Sequence, residues 1–254
     1  MAKQISNSAP DFPFKREIWR ITISRVDLAI SKFTFLLLLL AHFSQSQSIN
    51  TKLKRELDSI YVLDQKYREL VFVAQKPKQA DSLAKVYQVD RQSLPDHLMT
   101  IQMDIDESNT KRVEEIIKKY GYPGASLVGT PTNEAVFYVI QHSDKIDQYL
   151  PLIEKAATEN QLPFKLFAMM KDRSLMHNEK EQLYGTQATS FSTLNKATKK
   201  AEQVLIIWPI SDPENVNKRR KEAGFEQTVE ENAKRLGVNY KVLTLEEVNK
   251  MKVR

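Results

Sequence analysis

The chain has 254 residues, 41% of them hydrophobic and 28% charged, the makeup of a globular protein rather than a disordered or fibrous one. It contains no cysteine, which excludes disulfides, thiolate catalysis, Cys-ligated metals and a lipoprotein anchor. The formal net charge is +6, but residues 1–46 hold six Lys/Arg against three Asp/Glu, so the rest carries only +3, a weak electrostatic footprint for a nucleic-acid partner.

The first element in chain order is SKFTFLLLLLAHFSQSQS at residues 31–48. Lys32 precedes a run from Phe33 to Ala41 that is apolar but for Thr34, and Ser44 and Ser46 occupy the −3 and −1 positions of a cut before Gln47. This is the layout of a signal peptide over about residues 28–46, and it predicts a periplasmic or secreted protein. An N-terminal anchor and a core helix are the competing readings. The run is shorter than the roughly 20 residues a membrane-spanning helix needs, so no stable membrane insertion is expected after cleavage. Some thirty residues stand ahead of the leader, which suggests a translation start near Leu28 or Ile30.

Residues 47–254 are expected to form a single α-rich domain, mainly α (α+β), a helical bundle with a small antiparallel β-hairpin. From Thr51 to Ala74, Leu53, Leu57, Ile60, Tyr67 and Val71 recur at helical spacing, and Asp64 falls inside that apolar stripe. A second helix fits Gln79 to Val89, and Pro95 is expected to break the stretch leading up to Met103. Asp106, Ser108 or Asn109 can cap a third helix that ends at Tyr120 with Gly121 beyond it. YPGASLVGTP is a structured loop; Thr130 then caps a helix whose body, AVFYVI, is apolar on every side and therefore central.

Two more helices are expected near 148–160 and 164–178. QLYGTQ at 182–187 and VLIIWPI can pair as a hairpin, with the Ser/Thr/Lys-rich stretch between them as a surface excursion. Asp212 with Pro213 opens a helix closed by Gly224, another runs near Thr228 to Leu236, YKVL reads as a short strand, and Thr244 to Glu247 forms a capping box.

The polar residues that resist explanation as solvent-facing filler are few. Asp64 and Arg68 are four apart on one helix; they fit either an internal salt bridge or a site pair. His142 ends the buried helix beside Gln141 and Asp144, where it is either an acid/base whose tautomer a carboxylate sets, or a ring serving the last helix carbonyls. Asp172 and Arg173 read first as a structural ion pair. Arg219 and Arg220 are either a solvated face or a planar anion fork. Gly185, between Tyr184 and Thr186, marks either a close approach of another group or a plain bulge. H-E-x-x-H, P-loop, G-x-G-x-x-G and G-x-S-x-G motifs are all absent, and His97, His142 and His177 are too scattered to predict a metal site.

The ordered set DQKYR, GYPGASLVG, QHSD, DRSL, QLYGTQ and PISDPENVNKRRKEAGF, over about residues 55–230, resembles a bacterial domain-of-unknown-function family numbered six-six-two-four. The chain departs from it with Tyr122 in place of tryptophan and with an enlarged stretch after Gln187. The resemblance names no activity. It implies that Asp64, Gln65, Arg68, Gln141, His142, Asp144, Asp172, Arg173, Tyr184, Thr186, Gln187, Asp212 and Arg220 form one constellation. The expected function is therefore a polar pocket for a small polar molecule, performing metal-independent hydrolysis or group transfer on an envelope metabolite, or binding it without turnover. His142, Asp144 and Asp64 are the expected catalytic groups. Arg68, Gln65, Gln141, Asp172, Arg173, Tyr184, Thr186, Gln187 and Arg220 are the expected ligand-binding groups. No metal and no cofactor is expected, and oligomeric state leaves no sequence signal.

Overall fold

The computed structural model describes residues 48–194 and 200–252, so the predicted signal peptide lies outside the described residues. Helix α1, Thr51–Val73, starts where the Asn50 side chain accepts the Leu53 N–H at 3.0 Å, and it buries Leu53, Leu57, Ile60 and Asp64 along one stripe. Helix α2 spans Pro77–Tyr87. Helix α3 is longer than expected, Leu94–Tyr120. Pro95 does not interrupt it, because a proline in the first turn gives up an N–H that has no intrahelical partner anyway. Asp106 is consequently a mid-helix residue and not a cap. Helices α1 and α3 run antiparallel, joined by Arg112 to Glu56 at 2.5 Å, Asn109 to the Ile60 carbonyl at 3.4 Å, and Arg68 to Asp106 at 2.5 Å.

The loop after α3 holds the short helix α4, Ala125–Val128. A side chain on Gly124 would put its Cβ 2.4 Å from Gln161 Cβ, so glycine is needed there for space. A 3-10 turn at Thr132–Glu134, capped by Pro131 and so one residue later than the predicted cap at Thr130, leads into α5, Ala135–Gln141. Helix α5 buries Val136, Phe137, Val139 and Ile140, as its all-round apolar sequence requires. It runs parallel to α1. Lys54 donates to Thr132 at 2.7 Å, the Tyr61 and Tyr138 rings lie 5.1 Å apart, and His142 reaches Asp64, three pairings that advance together along both chains.

Helices α6, Ile146–Thr158, and α7, Phe164–His177, form as predicted. They are stapled where Asp147 accepts from Ser174 at 2.5 Å and from Asn178 at 2.9 Å. The main core gathers Leu57 and Ile60 of α1, Val113 and Ile116 of α3, Phe137 and Ile140 of α5, Ile153 of α6 and Met170 of α7. Each such side chain contributes about 1.5–3 kcal/mol of burial free energy.

The sheet differs from expectation. Strand β1 is Ala188–Leu194 and β2 is Ala201–Ile207, antiparallel, with Ala188 opposite Ile207 and Leu194 opposite Ala201. The start of the Ser/Thr-rich stretch, 188–194, is therefore a strand of the hairpin, while QLYGTQ is a turn, touching the sheet region through one bridge between Gln182 and Ile210. Asp212 takes a left-handed φ of 49° and makes no side-chain cap; a 3-10 turn, Pro213–Asn215, precedes α8, Val216–Glu222. Helix α9, Val229–Arg235, and helix α10, Leu245–Met251, both begin with the reciprocal Thr and Glu bonds of a capping box, at Thr228 with Glu231 and at Thr244 with Glu247. YKVL is not a strand. A second core of Ile207, Ile210, Val216, Val229 and Ala233 holds the sheet end against α8 and α9. No described helix is long and apolar enough to cross a membrane.

Candidate functional site

The predicted constellation separates into two groups. In the first, α1 buries the Asp64 carboxylate completely, and three side chains surround it. Gln65 donates at 2.6 Å, Arg68 at 3.4 Å, and the His142 Nδ1 lies 3.3 Å from Oδ2. His142 is delivered by the end of α5, parallel to α1. Arg68 is shared: its second and shorter bond, 2.5 Å, goes to Asp106 on α3, which also accepts from Gln102 at 2.7 Å. The Arg68 Nε and the Gln102 Oε1 are buried without a hydrogen-bond partner among the described residues.

Arg173, on α7, stands near Arg68. Burial, and then the Arg68 charge, lower its affinity for its proton. No hydrogen bond or ion pair joins Arg173 to any described residue. A half-buried guanidinium beside a second one is a place for an anion. With Nδ1 turned to a buried carboxylate, the imidazole keeps Nε2 on the far side of its ring from Asp64, the arrangement of a general base and its orienting acid.

In the second group Asp172, also fully buried, does not pair with Arg173. Its carboxylate accepts the N–H groups of Leu183 at 2.8 Å, Tyr184 at 3.1 Å and Thr186 at 3.0 Å, and the Thr186 hydroxyl at 2.9 Å. Burial pushes the Asp172 carboxyl up, and these donors pull it back. Gln182, buried, closes the turn by donating to the Gln187 and Trp208 carbonyls and accepting the Gln187 N–H. Gly185 sits at φ +66°, where a Cβ would come 2.6 Å from Val229 Cγ2 and 2.8 Å from Ile210 Cδ1. Of the two readings of this glycine, close approach or plain bulge, the structure has the close approach, made by the protein's own second core.

Arg220 is 2% exposed and spends its guanidinium on backbone: Nε to Gln227 O at 2.8 Å and one terminal nitrogen to Tyr184 O at 2.8 Å, with the Phe225 ring 4.6 Å away. Arg219 likewise binds the Leu183, Ser211 and Asp212 carbonyls and the Asp212 carboxylate. The pair is neither a solvated face nor a fork free on both sides. Gln187 donates to Thr186 Oγ1 at 3.0 Å.

Two predicted residues stand apart. Asp144 is exposed and makes no hydrogen bond or ion pair with a described residue, so the carboxylate that orients His142 is Asp64 and not Asp144. Gln141 is buried at the end of α5 and bonds to neither group. Asp106 and Gln102 were not anticipated; their spacing of four residues was the available signal, hidden by treating Asp106 as a cap. Among the described residues no cluster of three His, Asp or Glu is arranged to hold a metal ion.

A cleft of about 450 Å³ opens beside the second group, lined by Thr186 and Arg220 together with Tyr138 of α5 and Met169 of α7. Tyr138 is four residues before His142, and Met169 four before Arg173, so the cleft lies one helical turn back along both helices from the Asp64 group.

A family model described as a family of unknown function, DUF6624, matches residues 68–244. The chain belongs to this family. The DUF6624 match begins at Arg68 and runs through His142, Asp172, the 182–187 turn and Arg220, while Asp64 and Gln65 precede it. No curated protein and no solved structure matches the chain.

Proposed function

We propose that this DUF6624 protein is exported and acts on a small polar, anionic envelope metabolite by metal-independent hydrolysis or group transfer. The observation that carries the reading is the Asp64 to His142 contact at 3.3 Å beside Arg173, a guanidinium with no acidic partner among the described residues. His142 is the acid/base through Nε2, Asp64 orients its ring, and Arg68 and Arg173 hold the negative charge of the substrate or of the transition state. Export rests on the leader-like sequence before Gln47.

The test is a screen of the purified protein against phosphate esters, amides and glycosides, with His142→Ala and Asp64→Asn then compared on any substrate found. Each substitution is expected to lower turnover by about 10²-fold or more with cooperative folding retained. Turnover indifferent to His142→Ala defeats the reading. Export is checked by N-terminal sequencing of protein recovered outside the cytoplasm, which should begin at Gln47; material beginning at Ala2 overturns it. A second reading, a binding module without turnover, is favoured by one observation: the 450 Å³ cleft is lined by Thr186 and Arg220 but by none of Asp64, Arg68 and His142.

A further inference from the structure

The cleft between α5, α7 and the 224–235 segment has a charge balance of its own. Lys165, Arg220 and Arg235 line it, against Glu226 as the one carboxylate among its lining residues. Arg220 decides its character. At 2% exposure, with only backbone carbonyls and a ring as close partners, its positive charge meets no carboxylate within ion-pair distance. Burial lowers its proton affinity and the Arg235 charge adds to that, while the more distant carboxylates of Asp172, Glu230 and Glu231 act the other way. A buried cation left in this state gains from an anion brought to it.

The remaining wall is not charged. Leu166, Met169 and the rings of Tyr138 and Phe225 give the cleft an apolar side, and Phe225 already lies against the Arg220 guanidinium. Such a lining suits a compact body with one charged end better than a free inorganic ion. Lys165 and Arg235 are both exposed, and they sit where an incoming anion would meet charge before reaching Arg220.

We propose that this cleft binds a small organic anion, a carboxylate or phosphate monoester on a flat or apolar body, with the charged end on Arg220, Lys165 and Arg235 and the body against Phe225 and Tyr138. It deepens the anionic-ligand part of the function proposed above and rests on that reading only for what happens to the ligand, not for its binding. Bound here, one end of the ligand lies a helical turn from His142, which is where an acid/base would need a second part of the same molecule.

The experiment is calorimetric titration of the full chain with phenyl phosphate, benzoate, benzamide and inorganic phosphate. Saturable binding of phenyl phosphate or benzoate is expected, with benzamide and inorganic phosphate weaker by about tenfold or more, the worth of one charge-assisted contact or of the apolar body. Lys165→Ala with Arg235→Ala, both surface changes, should weaken the aromatic anions by about tenfold with an unchanged melting temperature. His142→Ala should leave that affinity as it is, so loss of turnover and loss of cleft binding are read separately. The cleft assignment is overturned by no saturable binding, by equal affinity for benzamide, by insensitivity to the Lys165 and Arg235 pair, or by binding that disappears with His142→Ala. Arg220→Lys, which keeps the charge but not the planar fork, should weaken binding even if it also lowers stability, and an unweakened Arg220→Lys protein counts against the assignment.

Discussion

Thr186 holds Asp172 twice, by its backbone N–H at 3.0 Å and by its hydroxyl at 2.9 Å, across fourteen residues of sequence. Together with Leu183 and Tyr184 it fills a ring of donors that would otherwise be aimed at nothing. Asp172→Ala removes the acceptor and leaves those donors in the interior. The expected loss is on the order of 3 kcal/mol, read as a lower urea midpoint, and Asp172→Asn should lose less because its amide oxygen still accepts. A midpoint unchanged in Asp172→Ala would contradict this role for the carboxylate in the turn.

At Gly185 two costs add. A left-handed φ of 66° strains any L side chain, and a new Cβ has Val229 Cγ2 at 2.6 Å and Ile210 Cδ1 at 2.8 Å. Gly185→Ala is expected to destabilise by about 2–4 kcal/mol in a denaturant melt. Gly224, at φ +86° with nothing within 4 Å of an added Cβ, isolates the backbone part. Gly224→Ala should therefore cost only about 1–2 kcal/mol. Equal losses at both positions would mean the packing contact is not felt.

The contact of His142 Nδ1 with Asp64 at 3.3 Å predicts a tautomer. The Nδ1 proton points at the carboxylate and Nε2 carries the lone pair, a pattern visible in long-range proton–nitrogen correlation spectra of the neutral ring. Asp64→Asn should abolish that preference and, with it, about 10²-fold or more of any turnover. A wild-type ring protonated at Nε2 would remove His142 as the base.

Asp147 gives a pH dependence with a definite sign. The hydrogen bonds from Ser174 and Asn178 hold its carboxyl below the usual aspartate range. A folded value below the unfolded one means that the stabilisation is complete above about pH 5 and is lost as the pH falls through the folded value. Because Asp147 is largely exposed, the effect should stay under about 1 kcal/mol. The stability gap between the wild type and Asp147→Asn should narrow in acid, and a gap that widens there would reverse the assignment.

Much of the helical fold was legible because its signals are local. The stripe of Leu53, Leu57, Ile60 and Asp64 and the Thr–Glu box at 244 each lie within a few turns of sequence, and the structure bears them out, adding a second such box at 228. Pro95 misled because one proline both ends and opens helices, and only the chain ahead of it tells which. Strand β1 was hidden for another reason: burial alternates from Thr189 to Leu194, but the half-buried face carries Thr189, Phe191 and Thr193 and the exposed face ends in Leu194, so the sequence shows no apolar–polar alternation to mark it. Within the site, Asp64 was found through its helical period and Arg68 through the spacing of four. The partner of Asp172 could not be found that way, since its donors belong to a turn beyond the helix end, and spacing pointed instead at neighbouring Arg173.

Asp172 and Arg173 are consecutive on α7, so their side chains leave the axis about 100° apart. One reaches into the amide ring of the 183–187 turn and the other toward Arg68. A single rod thereby carries both the guanidinium without an acidic partner and the acceptor that fixes the turn, so one stretch of backbone sets the spacing between the two places.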